Sequence, residues 1–194
     1  MLIEVTARGT TPLILDRFHE GLIIKGPKSS NSGEELSPQD QCREKLYVDD
    51  KGTPVFPADN LLSCIIDAGR FIKVGKRQLS TRDQTIVTSF LLLTDNFLQI
   101  ASEEGWRVDA RGIVNQSTKG RHICYRPIFD DWGFTFTIDL DERECSLKTA
   151  RELIDRAGKA IGIGVMRPSR KGRYGQFVVQ KWHEQEKQKI KVAA

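Results

Sequence analysis

The chain has 194 residues, 39% hydrophobic and 29% charged, enough for one ordinary domain with a core and too apolar for a wholly disordered polymer. Its longest apolar cluster, Phe90-Leu91-Leu92-Leu93, falls far short of the roughly eighteen residues of a membrane helix. The start, Met1-Leu2-Ile3-Glu4-Val5, has neither a basic stretch nor a signal-like core, so the expectation is a cytoplasmic protein with no membrane partner. The formal net charge of +4 is unevenly spread: residues 110–182 hold 14 Lys/Arg and 8 Asp/Glu, a local excess of +6 that leaves −2 elsewhere.

The chain opens with a β-compatible stretch from Leu2 to Leu15. Gly9-Thr10-Thr11-Pro12 divides it, because Pro12 cannot donate to a ladder, and a bulge or kink is predicted at Gly9. Residues 26–41 (GPKSSNSGEELSPQDQ) hold almost nothing to bury and predict a long loop or mobile insertion. A hairpin follows, with strands Lys45–Val48 and Thr53–Phe56 around the turn Asp49–Gly52. Pro57-Ala58-Asp59-Asn60 opens a helix with Leu61, Leu62, Ile65, Ile66 and either Phe71 or Ile72 on one face and its end loosened at Gly69 and Gly75. Residues 84–100 predict strand, turning helical toward Phe97–Ala101, and Trp106–Val114 predicts another strand.

Arg121–Asp130 and Trp132–Leu140 read as two long strands joined by a tight Asp130-Asp131 turn. Phe134, Phe136 and Ile138 alternate with Thr135, Thr137 and Asp139, the period of a half-buried strand. Ser146 is a predicted N-cap for a helix reaching Lys159, with Leu147, Ala150, Leu153, Ile154 and Ala157 inward. Phe177, Val179 and Trp182 mark the last strand, and the charged tail from His183 is expected to fray. Reduced to essentials the order is β-α-β-β-α-β. The expected fold is therefore α+β, a ferredoxin-like antiparallel sheet with two main helices and inserted loops, in one domain over residues 1–182.

Cys42, Cys64, Cys124 and Cys145 are scattered without a C-x-x-C pair, so they read as buried free thiols, and no metal or cofactor is expected. The densest chemistry lies in the glycine-rich run 158–175. There Arg167, Arg170, Lys171 and Arg173 occur without an acid among them and Tyr174 offers a ring for a base; the bland alternative is a solvated turn. This run follows a helix and opens a strand, the reverse of a dinucleotide fingerprint. Gly69 with Gly75-Lys76 is no phosphate loop either, since Arg77 stands where Ser or Thr is needed.

A second group is Arg107, Arg111, Lys119, Arg121 and Arg126. Strand alternation puts Arg121, Ile123 and Tyr125 on one face, which suits a phosphate contact beside a stacking ring, or else a solvent-facing sheet with Tyr125 in the core. A third is Asp16-Arg17-Phe18-His19, where Asp16 and His19 could perform acid–base cleavage of a phosphodiester or simply form a polar loop. Asp130-Asp131 and Asp139/Asp141 read as solvated carboxylates rather than a metal site.

Three segments together resemble the RAMP superfamily, the ferredoxin-like, RRM-related proteins of CRISPR effector complexes in antiviral defence. They are Gly9–Asp16 (GTTPLILD), the helix start Val55–Leu62 (VFPADNLL) and the glycine-rich loop before the last strand. The closest likeness is to the RNA-binding backbone subunits. It covers the two ends of the chain and leaves out the middle third. It departs from the family at Pro57-Ala58, where Pro-Gly is usual, and in the helix Leu61–Arg70. Arg121–Trp132 and Gly162–Phe177 also look like short proteins encoded by bacteriophages and prophages. The RAMP resemblance implies that Arg167, Arg170, Lys171 and Arg173 approach nucleic acid, and it makes Asp16 a counterpart of a cleavage carboxylate found near the first strand in some subunits.

The leading expectation is non-catalytic binding of single-stranded nucleic acid, RNA before DNA, in repeated copies along the strand and beside other effector subunits. The alternatives are a metal-independent endoribonuclease using Asp16 and His19, and a phage accessory protein that binds single-stranded DNA or acts structurally.

Overall fold

The computed structural model describes residues 1–18, 36–114 and 119–185, with the His122 side chain left out. Strand β1 (Leu2–Gly9) buries Ile3, Val5 and Ala7 and turns Glu4, Thr6 and Arg8 outward. A kink at Thr10–Pro12 leads into β2 (Leu13–Ile14). Helix α1 (Pro38–Glu44) is capped by Ser37, whose Oγ accepts from the Asp40 amide, and it buries Cys42. The hairpin β3 (Tyr47–Val48) and β4 (Pro54–Pro57) closes on Asp49, which accepts from the amides of Lys51 and Thr53. Helix α2 (Ala58–Ala68) inserts Leu61, Cys64 and Ile65 into the core and tightens into a 3-10 turn, Gly69–Phe71.

The short hairpin β5 (Lys73–Val74) and β6 (Arg77–Gln78) follows, then the single-turn helix α3 (Val87–Phe90), β7 (Leu91–Leu93) and β8 (Phe97–Gln99). The long strands are β9 (Arg107–Val114), β10 (Arg121–Phe129) and β11 (Gly133–Leu140). Ser146 caps α4 (Leu147–Arg156) by accepting from the Thr149 amide, and a π turn, Ala157–Ile161, extends that helix. A 3-10 turn, Pro168–Arg170, precedes β12 (Phe177–Gln185).

The main sheet has the order β12-β1-β11-β7, antiparallel throughout. With α2 and α4 it forms β1-α2-β7-β11-α4-β12, whose strand order 4-1-3-2 is the ferredoxin-like arrangement. The core lies between this sheet and the two helices: Ile3, Val5, Phe134, Phe136 and Ile138 meet Leu61, Ile65, Leu153 and Ile154. Burying each such side chain stabilises the fold by about 1.5–3 kcal/mol. Two smaller sheets, β2-β10-β9 and β3-β4-β8, sit beside it.

Four expectations change. β10 and β11 are not a hairpin: β10 pairs with β9 and β2, whereas β11 pairs with β1 and β7. The chain turns a corner between sheets at Asp130-Asp131, and each acid holds an arginine of a different sheet, Asp130 with Arg107 and Asp131 with Arg8. Consecutive burial of Pro127, Ile128 and Phe129 marks the passage between layers. Within residues 84–100 the assignments are reversed: Val87–Phe90 is a helical turn that buries Val87 and Phe90, and Phe97–Gln99 is strand rather than helix, because it lies against Val55–Pro57. Pro38–Gln41 belongs to α1, since burial of Cys42 and the Ser37 cap favour the helix there; residues 26–35 lie outside the described residues. The last strand continues through His183 to Gln185, held by pairing with Leu2–Glu4.

All four cysteines are free, and three are buried. Burial pushes the Cys42 thiol up to about 11 and Cys64 up to about 12, so neither supplies thiolate at mildly alkaline pH. Cys124 is half-exposed, with the Lys45 ammonium 3.2 Å from its sulfur. A thiol-labelling time course on the native protein is therefore expected to show one fast thiol that Cys124→Ser removes. Two or more fast thiols would contradict this packing.

Candidate nucleic-acid interface

Residues 162–175 fold back on themselves between the π turn and β12. The Ile163 amide donates to the Gly175 carbonyl (2.9 Å), Gly172 to Arg167 (3.0 Å) and Tyr174 to Met166 (3.1 Å). The lobe is pinned to the kink after β1, because Val165 donates to Ile14 (3.0 Å) and Gly175 to Pro12 (2.8 Å). Two glycines make this closure possible. A Cβ on Gly172 would land on the Met166 carbonyl, and Gly175 has φ +68 with the Ile163 carbonyl against it.

The lobe exposes Arg170, Lys171 and Arg173, and Lys171 is itself left-handed at φ 60. Among the described residues no carboxylate pairs with Arg170, Lys171 or Arg167. Arg167 is turned inward, donating to the Gly164 carbonyl (2.8 Å) and the Ser169 hydroxyl (3.1 Å). It lines a cleft of about 300 Å³ with Gly162–Val165 of the lobe, Asn60, Ser63 and Asp67 along α2, and Asp16 and Tyr47 opposite.

The β9–β10 hairpin stands beside the lobe. Arg111 grips Asp109 through Nε and Nη2 (2.6 and 3.0 Å), donates to the Tyr174 hydroxyl (2.8 Å) and lies over that ring, 4.7 Å from its centroid. Arg173 lies 5.6 Å from the same centroid. Tyr174 thus already has two guanidinium partners, which hold its phenol below the usual value. Arg107 engages Asp130 and holds that carboxyl below its usual range. Arg126 binds Asp16 (2.6 Å), and Lys45 approaches the other oxygen of Asp16 (3.4 Å).

The two predicted cation groups therefore meet at Tyr174, but they differ in character. In the hairpin, Arg107, Arg111 and Arg126 each hold a carboxylate; Lys119 and Arg121 are exposed without an acid partner among the described residues. Arg121, Ile123 and Tyr125 do share a face, with Ile123 59% exposed and Tyr125 half-buried. Asp16 is engaged in tying β2 to β10 and to the residue after α1, and His19 lies outside the described residues. No cluster of three or more His, Cys, Asp or Glu able to hold a metal occurs among the described residues. No helix there is long and apolar enough to cross a membrane.

Sequence reasoning missed a further basic element. The run RFIKVGKR (residues 70–77) carries four cations and no acid. It forms the end of α2 and the β5–β6 hairpin, where Lys73, Lys76 and Arg77 are exposed. Its cation density was the available signal, obscured by the glycine spacing that invited comparison with a phosphate loop.

No family model matches the chain, and no curated protein matches it in sequence. Among solved structures it is similar to a chain of the type III-B Cmr-beta structure bound to cognate target RNA, with a TM-score of 0.57 and 13% identity over 94% of this chain and 59% of that one. The chain thus spans about three-fifths of the length of that neighbour. A second similar structure is Cmr6 from Pyrococcus furiosus, with a TM-score of 0.44 and 11% identity over 93% of this chain and 98% of that one. The first likeness agrees with the ferredoxin-like topology and defines the class of fold to which the chain belongs.

The contacts at Tyr174 make a titration testable. With its pKa lowered from the ordinary value of 10, the folded protein releases this proton before the unfolded chain does, so the group adds stability as pH rises through the folded value toward 10. Ultraviolet difference titration is expected to show a tyrosine that ionises early and that Tyr174→Phe removes, and Arg111→Gln should move its transition to higher pH. No early transition lost with Tyr174→Phe would refute the arrangement.

Proposed function

We propose that this protein binds single-stranded RNA through phosphate contacts without cutting it, in repeated copies and beside other subunits of a CRISPR effector. One observation carries the reading. The lobe 162–175 is fixed by its own hydrogen bonds and by the kink after β1, and it presents Arg170, Lys171 and Arg173 to solvent. Exposed cations on a backbone already held in place are suited to a phosphate chain, because the backbone has little further order to gain on contact. The fold likeness to a chain solved with cognate target RNA supports the same reading. Lys119 and Arg121 at the far end of the hairpin extend the charged surface. Asp16 is satisfied by Arg126 and Lys45, which favours a structural duty over proton transfer.

Anisotropy titrations with labelled single-stranded RNA and DNA test this directly. The logarithm of affinity should fall with the logarithm of salt concentration. Replacing Arg170, Lys171 and Arg173 together by Gln should make that slope shallower by about 2 for a single strand. An unchanged slope removes the lobe from the interface, and tighter binding of DNA than RNA overturns the choice of RNA. Cleavage products after prolonged incubation would overturn the non-catalytic reading.

A further inference from the structure

The acid-free cationic run Arg70–Arg77 begins at a groove, lined by Arg70 and Phe71, that the lobe alone does not account for. Phe71 ends the 3-10 turn after α2 with 58% of its surface exposed, while its neighbour Ile72 is buried. Facing Phe71 across a groove of about 570 Å³ are Ile161 of the π turn and Ser169 and Arg170 of the lobe. Arg170 has no carboxylate partner among the described residues. Asp67, the acid lining the groove, is held by Arg70 at 3.0 Å. Beyond Phe71 the β5–β6 hairpin exposes Lys73, Lys76 and Arg77.

An exposed aromatic plane with Arg170 across the groove and further exposed cations following it in the chain matches a nucleotide, with a flat base for the ring and phosphates for the charges. A protein partner bearing an apolar anchor would fit the ring but leave the cations unanswered. Asp67 and Ile161 also line the cleft under Arg167, so the two depressions adjoin around the Arg167–Pro168 corner. Tyr174, the ring that sequence favours for stacking, is already occupied by Arg111 and Arg173, whereas Phe71 is open.

We infer that this groove takes one nucleotide of the bound single strand, its base stacked on Phe71 and its flanking phosphates shared between Arg170 and the β5–β6 cations. The inference rests on the single-strand binding proposed above. The strand would pass from the lobe around the Arg167–Pro168 corner toward the hairpin.

The experiment compares the full chain with its Phe71→Ala, Phe71→Leu and Phe71→Trp variants in anisotropy titrations against one labelled single-stranded RNA. Losing one base stack weakens binding by about tenfold in the Ala and Leu variants, with the salt slope unchanged because stacking releases no counterions. The Trp variant keeps wild-type affinity, and RNA quenches its added fluorescence. Thermal melting checks that all variants fold. Wild-type affinity in the Ala variant, or an unquenched Trp variant in a protein that does bind RNA, overturns the inference while leaving RNA binding intact. A wild-type protein that binds no single strand overturns the functional reading, and the inference falls with it.

Discussion

The indole of Trp132 occupies the space that a side chain at residue 9 would fill, and the path of the chain into the candidate site depends on that contact. The ring is buried, lies 5.7 Å from Phe134 and 6.4 Å from Phe177 between centroids, and donates from its Nε1 to the Thr11 carbonyl at 2.8 Å. The Gly9 amide in turn donates to the Trp132 carbonyl. The kink is thereby locked as it leaves the main sheet. Its next residues supply a row of partners: Thr10 and Thr11 bond to Gln176, Pro12 accepts from Gly175, and Ile14 accepts from Val165. Core packing at one end of the sheet thus positions a polar lobe at its edge. A looser contact at Trp132 would be felt as disorder among cations that do not touch it.

The local charge excess divides between structural and available cations. Arg111 and Asp109 are partly shielded, and so are Arg126 and Asp16, with 15% and 25% of their side chains exposed. Arg107 and Asp130 are far more open, and pairs of that kind contribute only about 0–1 kcal/mol. The pairing nonetheless matters for binding, because a guanidinium already holding a carboxylate gains less from a phosphate. Among the described residues Arg170 and Lys171 carry no such partner, so their charge stays available to an anion. Arg111 takes a different part, holding Tyr174 against the hairpin and so joining lobe and hairpin into one surface.

What could be read in advance follows from the range of each interaction. Alternation in Phe134–Ile138, the Ser146 cap and the helix after Pro57 are local patterns, and the structure keeps all three. The ferredoxin-like order follows from those elements. Local pattern does not name a strand's partner, and that is why β10 was joined to β11. Its alternation identifies faces correctly, but the buried run Pro127–Phe129 is the trace of a change of sheet. At the candidate site the cations of the lobe were legible as composition. Their freedom, and the engagement of Arg107, Arg111 and Arg126, required knowing which acids come near from Asp16, Asp109 and Asp130. Phe71 was hidden for a different reason: helical spacing allows either it or Ile72 on the apolar side of α2, but after the 3-10 turn Phe71 is exposed and Ile72 fills the core.

The outer face of the main sheet explains why a site would form at its edge. Glu4 and Thr6 of β1, and Thr135 and Thr137 of β11, point away from the helices, and Arg8 is tied to Asp131. This central region offers no Phe, Tyr or Trp on which a base could stack. The alternative lies where α2 ends, and there the helix dipole is unfavourable to phosphate, because carbonyl groups face outward from a C-terminus. Backbone amides of α2 therefore cannot supply the attraction, and side-chain cations must. Arg70 and Arg170 supply cations on the two walls of the groove there, and Arg70 neutralises the Asp67 carboxylate in the last turn of the helix. The two rings also differ in their surroundings: Tyr174, bonded to Arg111, braces the lobe, and Phe71 is left exposed.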